Sequence, residues 1–328
     1  MDYPQPLVVP PRRLPHRQTF ILLHGRGSSG DKFGPVLLDT PISPRPTTSS
    51  TDTATATAEA AAAGADATLT LGQVFPHARF VFPTAPRRRA TLYRRTLTRQ
   101  WFDSWTLEPP ATDREELQVL GLSETTAYLH DLWRREIAAV PGGAASVVVG
   151  GLSQGCAASL VALLLWQGDA FAAVVGMCGW LPFAARLAEH ASPAILELDV
   201  HQEADGHDES FDPFEREDDN NSAADMDPPT RAIAWLREEI APANHAHSTA
   251  ARTRTILADI PIFLGHGTED QKVSIVLGRE ASSCLHDLGA GVCWKEYEAL
   301  AHWYSGDLLQ DMVRFIQAES KWAHQEVG

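Results

Sequence analysis

Apolar and polar positions along the chain follow two alternating patterns. Largely apolar runs predict β-strands over residues 19–23, 78–82, 146–149, 171–177 and 260–264, and a further strand is predicted over 292–297. Apolar side chains at helical spacing predict helices over 122–140, 154–166, 274–288 and 308–316. Strands that are apolar along their whole length are buried on both faces, so this alternation predicts an α/β fold with a mostly parallel central sheet and helices on both faces. Such sheets carry their chemistry on loops that leave the carboxyl ends of the strands.

Two segments follow neither pattern. Residues 43–67 are rich in Thr and Ala, and residues 197–227 carry thirteen acids against one arginine, which is −12 of the net charge of −15. Because neither segment can bury enough apolar surface to offset the entropy lost on ordering, we expect both to be insertions on the surface. The sequence thus predicts a single domain over residues 1–328. It has a poorly ordered insertion over 43–67 and an acidic insertion over 197–255 that is partly disordered or lid-like.

Composition limits the class of protein. The 328 residues are 44% hydrophobic and 21% charged, which is typical of a globular chain with a sizeable core. Prolines interrupt the N-terminal stretch where a signal peptide would be continuous, and no apolar run reaches the ~20 residues of a transmembrane helix. The four cysteines have neither disulfide-framework nor metal-site spacing, and no motif for nucleic acid recognition is present. We therefore expect a soluble cytoplasmic protein with no nucleic acid partner, and the sequence gives no indication of its oligomeric state.

The strongest chemical signal is the pattern G-x-S-x-G, which residues 151–155 match as Gly-Leu-Ser-Gln-Gly between a predicted strand and a predicted helix. A sharp strand-to-helix turn holds its serine in a strained conformation, with the hydroxyl projecting above the sheet. Small residues on either side are needed because neighbouring backbone passes close by. We therefore expect Ser153 to be a nucleophile.

A serine nucleophile needs a base and an orienting acid, and in folds of this kind the acid precedes the base in the chain. His302 comes shortly after the last predicted strand, where the base belongs. Asp270 leaves the preceding strand and is the better candidate for the acid, with Glu269 as its competitor. A buried carboxylate beside the imidazole would hold its tautomer and stabilise its charged form. Asp270 could also cap the helix predicted to begin at Ser274.

Acyl transfer also needs two backbone N–H donors for the developing oxyanion. One is expected from Gln154, directly after the nucleophile. The other is expected from the first strand's glycine-rich exit over residues 24–30, where Arg26 is placed to donate. A phosphate-binding loop is the rival interpretation of these glycines, but the Lys-Ser/Thr pair of a P-loop is missing.

Five motifs occur in order along the chain. They are His-Gly-x-Gly at 24–27, Trp-Phe-Asp at 101–103, Gly-Leu-Ser-Gln-Gly at 151–155, His-Gly-x-x-Asp at 266–270 and the region of His302. Together they resemble the phospholipase/carboxylesterase family of α/β-hydrolases, which contains the acyl-protein thioesterases. The resemblance implies an α/β-hydrolase fold and cleavage of a carboxylic ester or thioester through an acyl-enzyme intermediate, with no metal or cofactor. It makes Ser153, Asp270 and His302 the catalytic triad and Arg26 and Gln154 the oxyanion residues.

The resemblance also bears on the substrate. The family's Trp-Phe-Asp segment lies along the substrate groove, so Trp101 and Phe102 become candidates for its lining, together with Trp180 and Trp303. The expected partner is an acyl ester or thioester of a small molecule or a lipidated protein. The chain departs from the family at Arg26, where thioesterases usually have an aliphatic residue next to the acyl channel.

The approach to the Trp-Phe-Asp segment is rich in arginine and has no acid between residues 79 and 100. Its arginines are Arg79, Arg87, Arg88, Arg89, Arg94, Arg95 and Arg99. One interpretation is a docking patch for an anionic substrate or for the chain's own acidic insertion, and the other is a solvated face. Two further functions stay open, an acyltransferase that uses the same triad and a non-catalytic binding module on this fold.

Overall fold

The computed structural model describes residues 2–42, 68–192, 226–241, 248–320 and 322. The predicted insertion over 43–67 and the most acidic part of the second insertion, residues 197–225, lie outside the described residues. The described parts form a twisted sheet with helices on both faces, and this arrangement positions the site.

The strands are β1 (Leu7–Val9), β2 (Gln18–Leu23), β3 (Ala78–Phe82), β4 (Arg87–Ala90), β5 (Thr96–Arg99), β6 (Val147–Leu152), β7 (Ala173–Met177), β8 (Pro261–Gly267) and β9 (Gly291–Tyr297). Seven of them form one sheet in the order β1-β3-β2-β6-β7-β8-β9, while β4 and β5 pair as a separate antiparallel hairpin. In that sheet β1 is antiparallel to β3, and all other neighbouring strands are parallel. The prediction of a mostly parallel central sheet is confirmed.

The helices are α1 (Gly30–Asp39), α2 (Leu71–Val74), α3 (Glu116–Ala139), α4 (Gln154–Leu164), α5 (Ala184–His190), α6 (Pro228–Ile240), α7 (Ser248–Ala258), α8 (Ile275–Asp287) and α9 (Gly306–Glu319). The start predicted for α3 at residue 122 is wrong, because the helix begins at Glu116. Its first turns pack against the neighbouring Trp-Phe-Asp segment, so closely that a Cβ at Gly121 would lie 2.5 Å from Cα of Phe102. Within the described residues, no helix is long and apolar enough to cross a membrane.

The core has two layers, one on each face of the sheet. Along β2, Ile21 and Leu23 face the layer that contains α3, α4, α6, α7 and α8, while Phe20 and Leu22 face the layer that contains α1, α2 and α9. All four side chains are fully buried. This burial on both faces explains why the strand has an uninterrupted apolar sequence instead of an alternating one.

Part of the segment predicted as an acidic insertion is helical and packed. In α6, the apolar side chains of Ile233, Leu236 and Ile240 are fully buried beside the other helices. Asp227, the last acid of the run, is the N-cap of this helix, and its side chain accepts a hydrogen bond from Thr230 N at 3.2 Å. The described C-terminal part of the segment is therefore a component of the helical layer.

Candidate active site

Ser153 lies at the abrupt turn between β6 and α4. Its backbone has φ 56° and ψ −122°, a conformation that L-residues rarely adopt. The turn passes so close to β2 that a Cβ at Gly151 or Gly155 would lie 2.6 or 2.5 Å from the carbonyl oxygen of Leu23. Only glycine fits at these two positions, which is the physical reason for the G-x-S-x-G spacing.

The structure brings Ser153, His302 and Asp270 into one chain of hydrogen bonds. Nε2 of His302 lies 2.9 Å from Oγ of Ser153, and Nδ1 of His302 lies 2.7 Å from Oδ2 of Asp270. The carboxylate can only accept, so Nδ1 carries the proton and Nε2 is free to accept the serine proton. The arrangement can move a proton from the serine hydroxyl to the imidazole while the carboxylate stabilises the cation that forms.

Both oxygens of the Asp270 carboxylate are occupied. Oδ1 accepts from the backbone N–H groups of Lys272 and Val273, each at 2.9 Å. Oδ2 accepts from His302 and also lies 3.1 Å from Nε2 of His266. Burial by itself raises the pKa of Asp270, but the hydrogen bonds from His266, His302 and Val273 outweigh it and hold that pKa well below its usual range. The carboxylate is therefore kept charged and fixed.

The competitor for the acid position points elsewhere. Glu269 is exposed, whereas Asp270 is buried beside His302. The backbone N–H of Glu269 donates to the Leu300 carbonyl at 3.0 Å, and the N–H of Asp270 turns back to the Gly267 carbonyl. This tight turn after β8 directs residue 270, not residue 269, towards the imidazole.

His266 is a site residue that the sequence interpretation did not single out. Its Nε2 lies within hydrogen-bonding distance of two acceptors, Oδ2 of Asp270 and the carbonyl oxygen of Val273 at 3.0 Å, so this nitrogen carries the proton. Its Nδ1 is buried without a partner and packs against α8, where a Cβ at Gly278 would lie 2.5 Å away. The signal was the His-Gly pair four residues before Asp270, which places the imidazole at the end of the same strand.

Gln154 follows the nucleophile at the start of α4, where backbone N–H groups have no acceptor within the helix. Its buried side chain accepts from Trp101 N at 3.0 Å and donates to the Phe102 carbonyl at 2.8 Å. Trp101 and Phe102 are both fully buried and do not line the groove, so their prediction as lining residues is wrong. They lie beneath the groove because the Gln154 side chain ties their backbone to the start of the helix.

The loop after β2 lies against Ser153. A Cβ at Gly25 would lie 3.3 Å from Cβ of Ser153, and Arg26 follows directly. His24 fixes this loop, because its Nδ1 donates to the Gly25 carbonyl at 2.7 Å while its Nε2 accepts from Ala85 N at 3.0 Å. Burial lowers the pKa of His24 to about 4, so the ring is neutral at neutral pH and both hydrogen bonds persist.

A groove of about 470 Å³ opens above Ser153. Trp180 and Trp303 both line it, as does the hairpin formed by β4 and β5. The lining consists of Gly25, Arg26, Gly27, Ser28, Phe33, Leu92, Tyr93, Thr98, Trp105, Leu107, Leu152, Ser153, Gln154, Trp180, Lys272, Val273, His302 and Trp303. It is largely apolar and aromatic and includes two cations but no acid. Such a lining suits a ligand with an apolar group.

The arginine-rich stretch has both structural and exposed members. Arg88 is buried and pairs with Glu124 at 2.5 Å, and Arg79 pairs with Glu136 at 3.0 Å. Because residues alternate across β4, its neighbours at 87 and 89 face solvent, as do residues 94 and 95 at the hairpin tip. The stretch is therefore neither wholly a patch nor wholly a solvated face.

Within the described residues, the group of side chains that could hold a metal ion is Cys178, Asp270 and His302. Their donor atoms are engaged, since Asp270 and His302 bond each other and the Cys178 thiol donates to the Trp303 carbonyl at 3.0 Å. Burial raises the pKa of Cys178 to about 12, which keeps it a thiol. Metal binding by this group would have to break the hydrogen bonds that join Asp270, His302 and Ser153.

Comparison with known proteins shows which family the chain resembles. A family model described as Phospholipase/Carboxylesterase matches residues 60–215 and 241–320. The chain is 24% identical to acyl-protein thioesterase 1 of Yarrowia lipolytica over 323 residues, which is 97% of the chain and 99% of that protein. It is 28% identical to acyl-protein thioesterase 1 of Schizosaccharomyces pombe over 127 residues, which is 38% of the chain and 54% of that protein.

Solved structures with low sequence identity share the fold. The crystal structure of Zea mays acyl-protein thioesterase 2 has a TM-score of 0.58 and 20% identity, and it covers 97% of this chain and 99% of its own. That of esterase PE8 has a TM-score of 0.56 and 17% identity, and it covers 97% of this chain and all of its own. These similarities show the α/β-hydrolase fold.

Proposed function

The chain belongs to the phospholipase/carboxylesterase family, whose members are hydrolases of esters and thioesters, and from that premise we propose that it is a serine hydrolase that works through an acyl-enzyme intermediate. The observation that carries this proposal is the continuous chain of hydrogen bonds from Ser153 through His302 to Asp270 at the floor of an apolar groove. The substrate is a carboxylic ester or thioester, of a small molecule or of a lipidated protein.

The first half of the reaction forms the acyl-enzyme. Nε2 of His302 takes the proton of the Ser153 hydroxyl as Oγ attacks the carbonyl carbon, and the carbonyl oxygen becomes an oxyanion. Backbone N–H groups of Arg26 and Gln154 stabilise that charge. The bond to the leaving alcohol or thiol then breaks, and the leaving group takes the proton from His302.

The second half returns the free enzyme. Water donates its proton to Nε2 of His302 and attacks the acyl carbon, and Oγ of Ser153 leaves with the proton that His302 gives back. Asp270 stays ionised through both halves, which its lowered pKa supports. The products are the free acid and the alcohol or thiol.

The test is covalent labelling with a fluorophosphonate, followed by mapping of the modified peptide by mass spectrometry. We expect a single adduct on Ser153 and hydrolysis of 4-nitrophenyl butyrate by the unlabelled protein. Ser153→Ala should abolish both, since the oxyanion groups cannot replace the nucleophile in covalent catalysis. Ser159, which lies further along α4 with its hydroxyl donating to the Gly155 carbonyl, supplies the matched control as Ser159→Ala. Labelling or turnover that survives Ser153→Ala contradicts the proposal.

A further inference from the structure

The Arg26 side chain lines the groove with an incomplete set of partners. Nη2 donates to the hydroxyl of Ser104, and the guanidinium lies 5.8 Å from the centre of the Tyr93 ring. Nε is buried without a hydrogen-bond partner. Nη1 is the remaining nitrogen, and among the described residues it has neither a hydrogen bond nor an ion pair, so it is open to the groove.

Among the described residues the buried Arg237 likewise has a hydroxyl partner, Thr253, and an unpartnered Nε, but it does not line the groove. Arg79 and Arg88, which are also largely covered, each pair with a glutamate of α3. The acid nearest to Arg26 along the Ser104 segment is Asp103, but its carboxylate accepts from the backbone N–H and the hydroxyl of Thr91 instead. A charge removed from water without an acid beside it is costly, so an anionic ligand would stabilise this guanidinium.

The rest of the groove adds to the positive potential. Among its lining residues in the described part of the chain are Arg26 and Lys272 but no Asp or Glu. The two cations come from different strands, Arg26 from the loop after β2 and Lys272 from the loop after β8. Because β6, which carries Ser153, lies between β2 and β8 in the sheet, the cations flank the nucleophile. Apolar walls with low dielectric strengthen the attraction of such charges for an anion.

Resting on the proposed ester or thioester hydrolysis, we propose that the preferred substrate carries a carboxylate and that the Arg26 guanidinium binds it. A planar guanidinium is the side chain best suited to a carboxylate. Arg26 is also next to Gly25, which touches the nucleophile, so the carboxylate is separated from the scissile carbonyl by a short apolar spacer along the groove. Arg26 thus acts twice, with its backbone N–H on the oxyanion and with its side chain on the substrate's anionic end.

The carboxylate could belong to the acyl group or to the leaving group, and two matched pairs of esters distinguish these sources. The acyl pair is the 4-nitrophenyl monoester of adipic acid against 4-nitrophenyl hexanoate. The leaving-group pair is 4-acetoxybenzoate against its methyl ester. For each pair the measurement is the ratio of kcat/KM for the carboxylate-bearing ester to that for the uncharged one.

We expect this ratio to fall about 10- to 100-fold in Arg26→Met for one of the pairs, the size of a lost charged hydrogen bond. Arg26→Lys should keep part of the selectivity, because the charge remains while the planar fork is lost. Lys272→Met is the matched control for the general positive potential, and it should lower the ratio much less because Lys272 is exposed. A ratio unchanged in Arg26→Met for both pairs overturns the proposal, and so does an equal fall in Lys272→Met.

Failure of this inference can be told apart from failure of the proposed function. If the protein hydrolyses the uncharged esters through Ser153 but the ratio of kcat/KM values is the same in Arg26→Met, only the proposed carboxylate specificity is wrong. If no member of either pair is hydrolysed in a Ser153-dependent reaction, the proposed function itself is wrong. Circular dichroism and thermal unfolding of each variant establish that the fold is retained.

Discussion

The charged groups on the two sides of Ser153 differ in how many partners the protein gives them. On the acid–base side, formed by the loops after β8 and β9, the buried carboxylate of Asp270 accepts from two histidines and two backbone N–H groups. On the proposed oxyanion side, formed by the loop after β2 and the β4–β5 hairpin, the guanidinium of Arg26 has one hydroxyl partner and an unpartnered buried Nε. One charge is fully compensated by the protein and the other is not.

The difference separates positioning from recognition. A carboxylate whose acceptor sites are filled has no capacity left for a ligand, so Asp270 can only orient the imidazole and stabilise its charge. A cation with open bonding capacity in an apolar groove has that capacity available for a substrate. The comparison therefore predicts that damage on the acid–base side lowers turnover of every substrate, whereas damage to the Arg26 side chain changes which substrate is preferred.

The largest effect within this comparison should come from Asp270→Asn. The amide would present an N–H group or a neutral oxygen to Nδ1 of His302, so the tautomer that accepts the serine proton is no longer enforced. We expect kcat to fall by about 10³- to 10⁴-fold for charged and uncharged esters alike. Steady-state kinetics on both ester pairs measures this directly.

Glu269→Gln is the control for that substitution, because it changes a neighbouring carboxylate that is exposed and does not contact the imidazole. It should leave turnover close to that of the native protein. Full activity in Asp270→Asn together with a loss in Glu269→Gln would transfer the role of the acid to Glu269.

A smaller effect is expected from His266, which acts on the reaction only through Asp270. In His266→Phe the carboxylate loses one donor, while His302 and the N–H groups of Lys272 and Val273 still hold it. We expect kcat to fall about 10- to 100-fold with little change in KM, as for a modest misplacement of a catalytic group. His266→Gln, whose amide can still donate, should recover part of the loss. Equal losses in both variants, accompanied by equal loss of stability, would indicate a packing role only.

The acid–base side is also the part of the site that the sequence predicts best. Ser153 and Asp270 follow strands of largely apolar sequence, and His302 follows the last strand, β9, which is more polar. Parallel strands bring their carboxyl ends to one edge of the sheet. Strand pattern and side-chain chemistry therefore agree there. His266 belongs to the His-Gly-x-x-Asp motif but was given no role, because that motif alone does not separate a histidine that supports the acid from one that packs in a strand.

The oxyanion side is predicted less well, because it is built from polar sequence and tertiary contacts. The β4 sequence is Arg-Arg-Arg-Ala, and it becomes a strand through pairing with β5 and through burial of Arg88 against α3, which no local pattern encodes. Trp101 and Phe102 have the composition of a groove lining, but the Gln154 side chain pins them beneath it. The start of α3 was missed for a related reason, since packing on this same segment extends the helix.

Acid should also distinguish the two sides. Asp270 keeps its charge to strongly acidic pH because its pKa is held low, whereas burial lowers the pKa of His24 on the oxyanion side to about 4. His24 must stay neutral, because its Nε2 accepts the N–H of Ala85 and a protonated ring would present an N–H there instead. Falling pH should therefore disturb the oxyanion loop before it neutralises the acid.

The corresponding measurement is the free energy of unfolding in urea as a function of pH. In the unfolded chain His24 takes up a proton near its ordinary pKa of 6.5, but in the folded protein only near about 4. The unfolded state thus binds more protons between these values. The contribution of His24 to the free energy of unfolding is therefore complete above pH 6.5 and is lost as the pH falls towards 4, by up to roughly 3 kcal/mol per histidine.

His130 has the same lowered pKa of about 4 but lies on α3, with its ring bonded to the Ala162 carbonyl and outside the groove lining. His24→Gln and His130→Gln should therefore flatten the pH dependence of stability by similar amounts, while His24→Gln alone lowers turnover at neutral pH. An unchanged pH dependence in either variant would contradict the lowered pKa of that histidine. An equal loss of turnover in both variants would contradict a specific role for His24 in the loop after β2.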